Sequence, residues 1–558
     1  MLLMITMAVA QRLAKGLAVL AVAGFALALF NRVALLSGFE AVPGDPGDGR
    51  FNLAVLEHWY RVTLAAEPWG SPGFFFPVPG VLGYSDALVL LAPDYVAARW
   101  AGLGPVAALA TTLMVASALG FAGMMVWLRG GLGLAWPAAL AGAGAFAAGT
   151  ALYQSLTVGH VQMMTVEALP WLAWLLWRYT RTGGGAVGAA AAALLAALLV
   201  SSFYVGWFVG VYLLVMAGVG LAMAVFLAGP RGTLAAVRRW LGARARSLPV
   251  VAAALGLGLV PFLVLYGPVA LHSAGRPWSE VMPTLPDPGQ WLEARGNALW
   301  GPVAGALWPE LAGRGGELGK GLSWGLLLVF AATVVRLASG PVAAVAPGTR
   351  RLALVLGAGV VVCWLLMLRV DEWSLWSLVY QGMPGGRSIR SVFRFNLVLS
   401  FAVATVAAVG LHGAWQRARA ATKAVVGLVA MALIVEQINL LPGTLSRSRD
   451  FAGTEAAAPA PGVCRALVLL PTTPSPAYHR WSHQLGAVMV AQAWGLPIIN
   501  GYSGLAPADW RLFDPTDRTG YRLAVVAWAN RYHLWEGLCG LDPEAGRWFP
   551  VAPADLMP

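Results

Sequence analysis

The chain has 558 residues, of which 59% are hydrophobic and only 11% charged, with a mean hydropathy of +0.70. A soluble domain carries about 25% charged residues, so a soluble globular reading is excluded, and length cannot be converted into soluble domains. The net charge of +12 invites a nucleic-acid partner, but the placement of the basic residues along the chain argues against one.

A transmembrane helix needs about 20 mostly apolar residues. Arg12 and Lys15 precede the first such run, and no small-residue cleavage site ends it, so it reads as a retained span. The pattern predicts eleven spans, at 16–37, 105–128, 133–152, 163–177, 185–202, 207–228, 248–268, 321–338, 352–369, 395–413 and 424–441. The boundaries are weakest around "ALYQSLTVGHVQMMTVEALP" and "SSFYVGWF", where broken helices can hide. Connections on the N-terminal side carry sixteen Lys and Arg, among them Arg129, Arg178, Arg238, Arg350 and Lys423, and no Asp or Glu. The positive-inside rule therefore puts the N-terminus in the cytoplasm and the C-terminus outside. It also explains the net charge as topological signal beside anionic headgroups, with no nucleic-acid binding.

Four pieces lie on the external side: 37–104, 269–320, 370–394 and 445–558. In the first, "FNLAVLEHWYRVTLA" has the spacing of a short amphipathic helix at the interface. "WGSPGFFFPVPGVLGYSD" after it is too rich in Pro and Gly for a long helix. The last piece reads as a small α/β domain. There "CRALVLLP" and "LPIIN" suit strands, "WSHQLGAVMVAQAW" suits a helix, and "RLAVVAWANRYHLW" suits either. Cys363 lies in an apolar run and reads as an inert core residue. Cys464 and Cys539 fit a disulfide or two free thiols equally. No internal repeat is present, although a transporter built from inverted repeats should show two matching halves.

Several clusters can carry chemistry. In "GDPGDGR", Asp45 and Asp48 sit on a turn just outside the first span. Such a pair can supply a general base, hold a divalent cation, or stay solvated. Glu57, His58 and Asp86 belong to the same loop. His160, Gln162 and Glu167 stand at the mouth of a span, where ionisable groups are costly and point to function, or else to a hydrogen-bonded helix contact. Arg387, Arg390 and Arg394 recur every three or four residues and would share one face of a helix. Three guanidinium groups there suit a phosphate or pyrophosphate better than simple snorkelling to lipid. "LPIINGYSGLAP" reads as a loop: Asn500-Gly501 marks a turn, after which Tyr502 and Ser503 can face a ligand.

The order of "PGDPGDGRFNLAVLEHWY", "FFFPVPGVLGYSDALVL", "GHVQMMTVEALPWLAW", "RSIRSVFRFNLVLSFAVA" and "INGYSGLAP" resembles bacterial integral-membrane glycosyltransferases of the GT-C type, mannosyltransferase-like members with a small C-terminal external domain. The resemblance covers most of the chain and is one of order, not of a single signature. It implies an α-helical polytopic membrane domain over 1–444 and an external α/β domain over 445–558, in a bacterial inner membrane with the C-terminal domain periplasmic or extracellular. It implies transfer from a polyprenyl-phosphate sugar donor to a hydroxyl of a glycan, lipid or protein acceptor, with inversion. Asp48 matches the base of the first external loop, and Asp45 is the alternative. The three arginines match the donor phosphate by location. Glu57, His58, Asp86, His160, Gln162, Glu167 and Tyr502 form the expected substrate-binding set. A divalent metal, Mg or Mn, held by Asp45 and Asp48, is left open because no second acidic motif defines a site. A lipid-linked-sugar flippase and a structural subunit of an envelope complex are the competing readings. Neither needs a carboxylate beside a donor phosphate.

Overall fold

The computed structural model describes residues 2–309, 317, 319–456, 460–471, 480–542 and 547–556. Parts of the second and fourth external pieces lie outside the described residues. Among the described residues, five helices are long and apolar enough to cross a membrane: Pro105–Gly131, Phe203–Arg244, Leu248–His272, Pro347–Met367 and Val392–Arg417. Shorter apolar helices cover Lys15–Phe30, Gly185–Ser201, Trp324–Ala338 and Ala420–Val435. These nine coincide with nine of the eleven expected spans.

The other two expected spans are broken. Over 133–152 the helix Trp136–Ala147 ends before Gly149, and the chain restarts as Thr150–Thr157. Over 163–177 the residues Val161–Ala168 form a tight 3₁₀ helix, and α geometry resumes only at Leu169, with Pro170 in its first turn. Pro tolerates that position because its missing N–H would have no helical partner there. The break between these pieces carries Gly159 and His160, and the helix Phe203–Arg244 kinks at Gly229 with Pro230 following.

The helix Phe395–Arg417 is the centre of the molecule and is buried along nearly all its length. It packs against Trp136–Ala147, Trp324–Ala338 and Pro347–Met367. Within lipid, helices associate through close packing more than through exclusion of water, so small residues mark the contacts. A Cβ on Gly410 would lie 1.9 Å from Thr333 Oγ1, and one on Gly142 would lie 2.7 Å from Leu128 Cδ1 and 3.0 Å from Ala408 Cβ. The outer helices Phe203–Arg244 and Leu248–His272 instead present Phe226, Leu257 and Leu271 outward.

On the side of the first loop, β1 (Ala41–Pro43) pairs antiparallel with β4 (Thr444–Ser446), and β2 (Arg369–Val370) with β3 (Trp373–Ser374) makes a small hairpin. The C-terminal segment has a sheet in the order β5 (Ala466–Leu469), β6 (Leu538–Asp542), β7 (Arg547–Pro550), parallel then antiparallel. Helices Arg480–Trp494 and Arg518–Tyr532 accompany it, so "RLAVVAWANRYHLW", which suited either, is helical. "LPIIN" makes only a single bridge, Ile498 to Leu467. Cys464 and Cys539 are disulfide-bonded.

The first loop and the C-terminal segment are built into each other. Phe75 N donates to Asn500 O (2.9 Å), Phe76 N to Ile498 O (3.0 Å) and Ile498 N to Gly73 O (2.7 Å). Phe75 meets Trp510 edge-on at 4.9 Å, a contact worth about 0.5–1.5 kcal/mol beyond the area it buries. The helix Asp48–Thr63, expected to lie amphipathically at the interface, is buried from Gly49 to His58. The helix Arg480–Trp494 covers it, with Gln492 Nε2 donating to Ala54 O (2.9 Å) and Arg61 Nη1 to Gln492 O (2.8 Å). The periodicity had located the apolar face, but a distant segment, not lipid, occupies it.

Candidate active site

The site begins with the turn before the Asp48–Thr63 helix. Asp45 Oδ1 accepts from Gly49 N at 2.9 Å, closing the turn. Asp48 is the first helical residue, where the N-terminal end of the helix dipole favours a carboxylate. Asn52 Nδ2 donates both to Asp48 O (2.8 Å) and to Gly159 O (2.9 Å), tying the turn to the break after Thr157. Gly159 has φ +81°, and a Cβ there would lie 2.3 Å from Asp45 Oδ1 and 2.4 Å from Gly49 N. Only glycine permits this approach, and it delivers His160 to Asp48.

Around Asp48 the groups converge from five separate stretches of chain. Tyr502 Oη donates to Asp48 Oδ1 at 2.8 Å. His160 Nε2 lies 3.5 Å from Asp48 Oδ2 and accepts from Arg394 Nη2 at 2.9 Å. Arg394 Nε donates to Glu317 Oε2 at 2.8 Å, and Nη2 donates to Glu317 Oε1. The Arg394 guanidinium sits 5.0 Å over the Tyr204 ring. Arg390 Nη2 approaches Glu317 Oε1 at 3.7 Å.

The electrostatics follow from burial and from this guanidinium. Burial and the neighbouring Arg394 charge push the His160 imidazole down to about 4. It is therefore neutral near pH 7, with Nε2 free to accept from Arg394, and its Nδ1 has no hydrogen-bond partner. Burial alone would raise the Asp48 carboxyl, but the Tyr502 hydrogen bond and the Arg394 charge oppose it, and the group lies below its usual range. Burial raises Asp45. Glu317 is likewise pulled well below the carboxylate range, Arg394 overcoming its burial. The Asp48 side chain is 37% exposed while those of His160 and Arg394 are 7% exposed. An ionised, reachable carboxylate thus stands beside a shielded cation.

The expected site residues divide into two groups. Asp45, Asp48, His160, Tyr502, Arg390 and Arg394 come together. Arg387 does not join them: residues 386–388 and 392–394 form separate 3₁₀ turns and not one helix, and the exposed Arg387 stacks 5.8 Å over Tyr380. Glu57 is held by Arg99 (3.0 Å) and by Tyr95 Oη (2.7 Å). His58 sits between Glu67 (2.5 Å) and Trp69 O (3.0 Å). Both are interior braces of the first loop. Asp86 Oδ1 accepts from Phe203 N at 2.8 Å, anchoring the start of the Phe203–Arg244 helix. Burial pushes its carboxyl up to about 6. Glu167 is buried against Gly120 with both oxygens unpartnered, and Gln162 Oε1 has no partner either. Glu167 packs against the helix that carries Gly120.

Sequence reasoning missed Glu317, Tyr204 and Gly159. Glu317 and the buried Lys320 stand in the second external loop, where a carboxylate and one of only three lysines were the available signals. Tyr204 lies in "SSFYVGWF". Ser391 and Ser503, neighbours of Arg390 and Tyr502 in sequence, have buried hydroxyls with no partner. Among the described residues no group of three or more His, Cys, Asp or Glu is arranged to hold a metal ion. Asp45 Oδ1 accepts from Gly49 N, and the Arg394 guanidinium contacts both His160 and Glu317 beside Asp48.

No protein-family model matches the sequence, and no curated protein matches it. Among solved structures, the chain is similar to the oligosaccharyltransferase of Archaeoglobus fulgidus, crystallised in complex with zinc and sulfate. That match has a TM-score of 0.46 and 12% identity, over 94% of this chain and 67% of that one. It is also similar to the arabinofuranosyltransferase AftD from mycobacteria (TM-score 0.49, 14% identity), over 94% of this chain but only 35% of that one. ArnT from Cupriavidus metallidurans follows at a TM-score of 0.32 and 16% identity, over 92% of each chain. The chain spans about a third of the arabinofuranosyltransferase's length.

Proposed function

We propose that the protein is a membrane glycosyltransferase that moves a sugar from a polyprenyl-phosphate donor to an acceptor hydroxyl at the external membrane face. The observation that carries this reading is the ionised Asp48 facing a buried Arg394 across His160, at one end of the apolar helices. The acceptor oxygen attacks the anomeric carbon as Asp48 takes its proton. The new C–O bond forms, and the bond from that carbon to the phosphate oxygen breaks with its electron pair. Polyprenyl phosphate leaves, and the anomeric centre inverts. The leaving oxygen's growing charge is stabilised by Arg394 and Arg390, which are fixed before the reaction and so need no reorganisation. His160 is neutral and adds no competing charge.

The Asp48 end of the bundle is read as the external side, with 1–444 as the membrane domain and 445–558 as the external one. The basic connections support that orientation, and the Cys464–Cys539 disulfide is compatible with an oxidising compartment. The test is transfer by the purified chain from a panel of polyprenyl-phosphate sugars. Transfer lost with Arg394→Gln but retained by a remote surface variant supports the reading. Movement of the donor across vesicles without transfer would favour a flippase instead.

A further inference from the structure

The helix Phe203–Arg244 has 42 residues. At about 1.5 Å per residue it would reach roughly 60 Å, about twice the hydrocarbon core of a bilayer. No charged residue precedes Arg231 in it. Helical geometry stops at Gly229, which has φ +69° and ψ 167°, and Pro230 follows. Thr233 Oγ1 donates to Gly229 O at 2.9 Å, closing the first turn of a new helix. The apolar part before Gly229 is long enough to span, and residues 230–244 form a separate element beyond it.

That element does not project into water. At its far end the Arg244 guanidinium donates to Thr180 O and lies 4.4 Å over the Trp240 ring. Ser247 Oγ is 3.1 Å from Tyr179 Oη. Tyr179 and Thr180 belong to the last turn of Leu169–Thr182, and Leu248–His272 starts directly after Ser247. A Cβ on Gly185, the first residue of Gly185–Ser201, would lie 3.8 Å from Ser247 Cβ. The segment thus leaves one apolar helix at Gly229 and finishes beside the ends of three others. A helix that starts and finishes at the surface of the bilayer runs along that surface.

Its exposed sides differ in chemistry. Leu234, Val237 and Leu241 recur at i, i+3 and i+7 and share one face, and they are 51%, 42% and 43% exposed. Trp240, one turn on from Val237, is exposed too. Arg231 and Arg238 flank the apolar face, Arg239 stands beyond it and Arg246 follows the helix; all four are exposed. Thr233 and Arg244 are buried against the protein. Between Glu167 and Glu280 the chain has no Asp or Glu, so this stretch offers no carboxylate to these arginines. An apolar face bordered by guanidinium groups and lying along a bilayer suits acyl chains on the one and phosphates on the other. We propose that residues 230–244 form an interfacial helix that binds anionic phospholipid of the adjoining leaflet. Leu234, Val237 and Leu241 enter the acyl boundary, and Arg231, Arg238 and Arg239 take the headgroup phosphates. This surface lies at the opposite end of the helix from Tyr204, the ring partner of Arg394, and takes no part in the chemistry at Asp48.

The test uses the full-length protein in nanodiscs of phosphatidylcholine with added phosphatidylglycerol. Cys464 and Cys539 are bonded to each other and Cys363 is buried, so a nitroxide label goes selectively to Leu241→Cys or to Ala236→Cys. The Leu241→Cys label should be reached by oxygen dissolved in the bilayer. The Ala236→Cys label, on the far side of the helix, should be reached by a water-soluble nickel chelate. Affinity of the detergent-solubilised protein for phosphatidylglycerol, read by native mass spectrometry, should fall about tenfold or more in Arg231→Gln/Arg238→Gln/Arg239→Gln. Arg336→Gln/Arg351→Gln/Arg419→Gln removes the same charge from other connections and should leave it unchanged. A Leu241→Cys label reached by the chelate would mean that this face meets a soluble partner, and it overturns the proposal. Affinity unaltered in the first triple variant, lost equally in the second, or lost equally for phosphatidylcholine overturns it as well.

Discussion

Tyr502, in the C-terminal segment, donates its hydroxyl at 2.8 Å to Asp48 at the start of the first-loop helix, 454 residues earlier in the chain. The contact exists because residues 498–500 are hydrogen-bonded to residues 73–76 and Phe75 is buried against Trp510. It occupies Oδ1 of a carboxylate whose other oxygen faces His160. Replacing Tyr502 by Phe removes a donor to the charged form, so the Asp48 carboxyl rises. A base must be ionised to work. The acidic limb of the rate profile, which wild type should show below the usual carboxylate range, is therefore expected at higher pH in Tyr502→Phe. A hydrogen bond to a charged group contributes about 1.5–3 kcal/mol. The partial exposure of Asp48 reduces that, so the limb should move up by about one pH unit, while kcat/KM near pH 7, where Asp48 is ionised in both proteins, should change little. An unchanged limb would show that Tyr502 does not act on Asp48.

Arg394 and Glu317 should behave as a pair. Arg394→Met leaves the Glu317 charge without its main partner. Stranding a buried charge costs about 3–5 kcal/mol. Glu317 is 23% exposed, so about 2 kcal/mol is expected, seen as a lower melting temperature. Arg394→Met combined with Glu317→Gln should recover most of that stability and none of the activity. If the double variant melts as low as the single one, the ion pair is not what holds this loop.

Gly159→Ala tests the turn. A side chain at φ +81° costs about 1–2 kcal/mol by conformation alone, and the added methyl would press on Asp45 Oδ1 and Gly49 N at under 2.5 Å. The turn must shift and carry Asp48 with it. Folding should be weakened modestly, while turnover should fall by more than tenfold. A variant as active as wild type would mean that the position of Asp48 tolerates this shift.

The disulfide gives a stability prediction. Cys464 and Cys539 close a loop of 75 residues in sequence separation. The Cys464→Ser/Cys539→Ser double variant should lose about 2–5 kcal/mol in the C-terminal segment. Because that segment places Tyr502, activity and melting should decline together. Calorimetry with and without reductant checks this.

How much of this was legible in the sequence differs by element. Long apolar runs and one-sided arginines located nine helices, because hydropathy and length are local properties. The two broken segments were not placed, since the stop before Gly149 and the 3₁₀ run Val161–Ala168 carry no mark in local hydropathy. Asp48, His160 and Arg394 stood out as polar groups at span mouths. Arg387 was grouped with Arg394 on helical spacing that the chain does not adopt. Glu57, His58 and Asp86 drew attention as charges in an acidic loop, but Arg99, Glu67 and the Phe203 amide satisfy them internally. Glu317 was invisible because its importance comes only from meeting Arg394. The first-loop helix was expected at the interface with one apolar face, yet it is buried continuously from Gly49 to His58, beneath a segment more than 400 residues away.

The central claim is that Asp48 takes the acceptor's proton. The most direct measurement is single-turnover sugar transfer by purified wild type, Asp48→Asn and Asp45→Asn, with donor binding measured in parallel. General-base catalysis contributes about 10²–10⁴-fold. Asp48→Asn should therefore bind donor and lose transfer by at least a hundredfold, while Asp45→Asn, which loses only a turn contact, should retain measurable turnover. Transfer by Asp48→Asn at the wild-type rate would contradict the account.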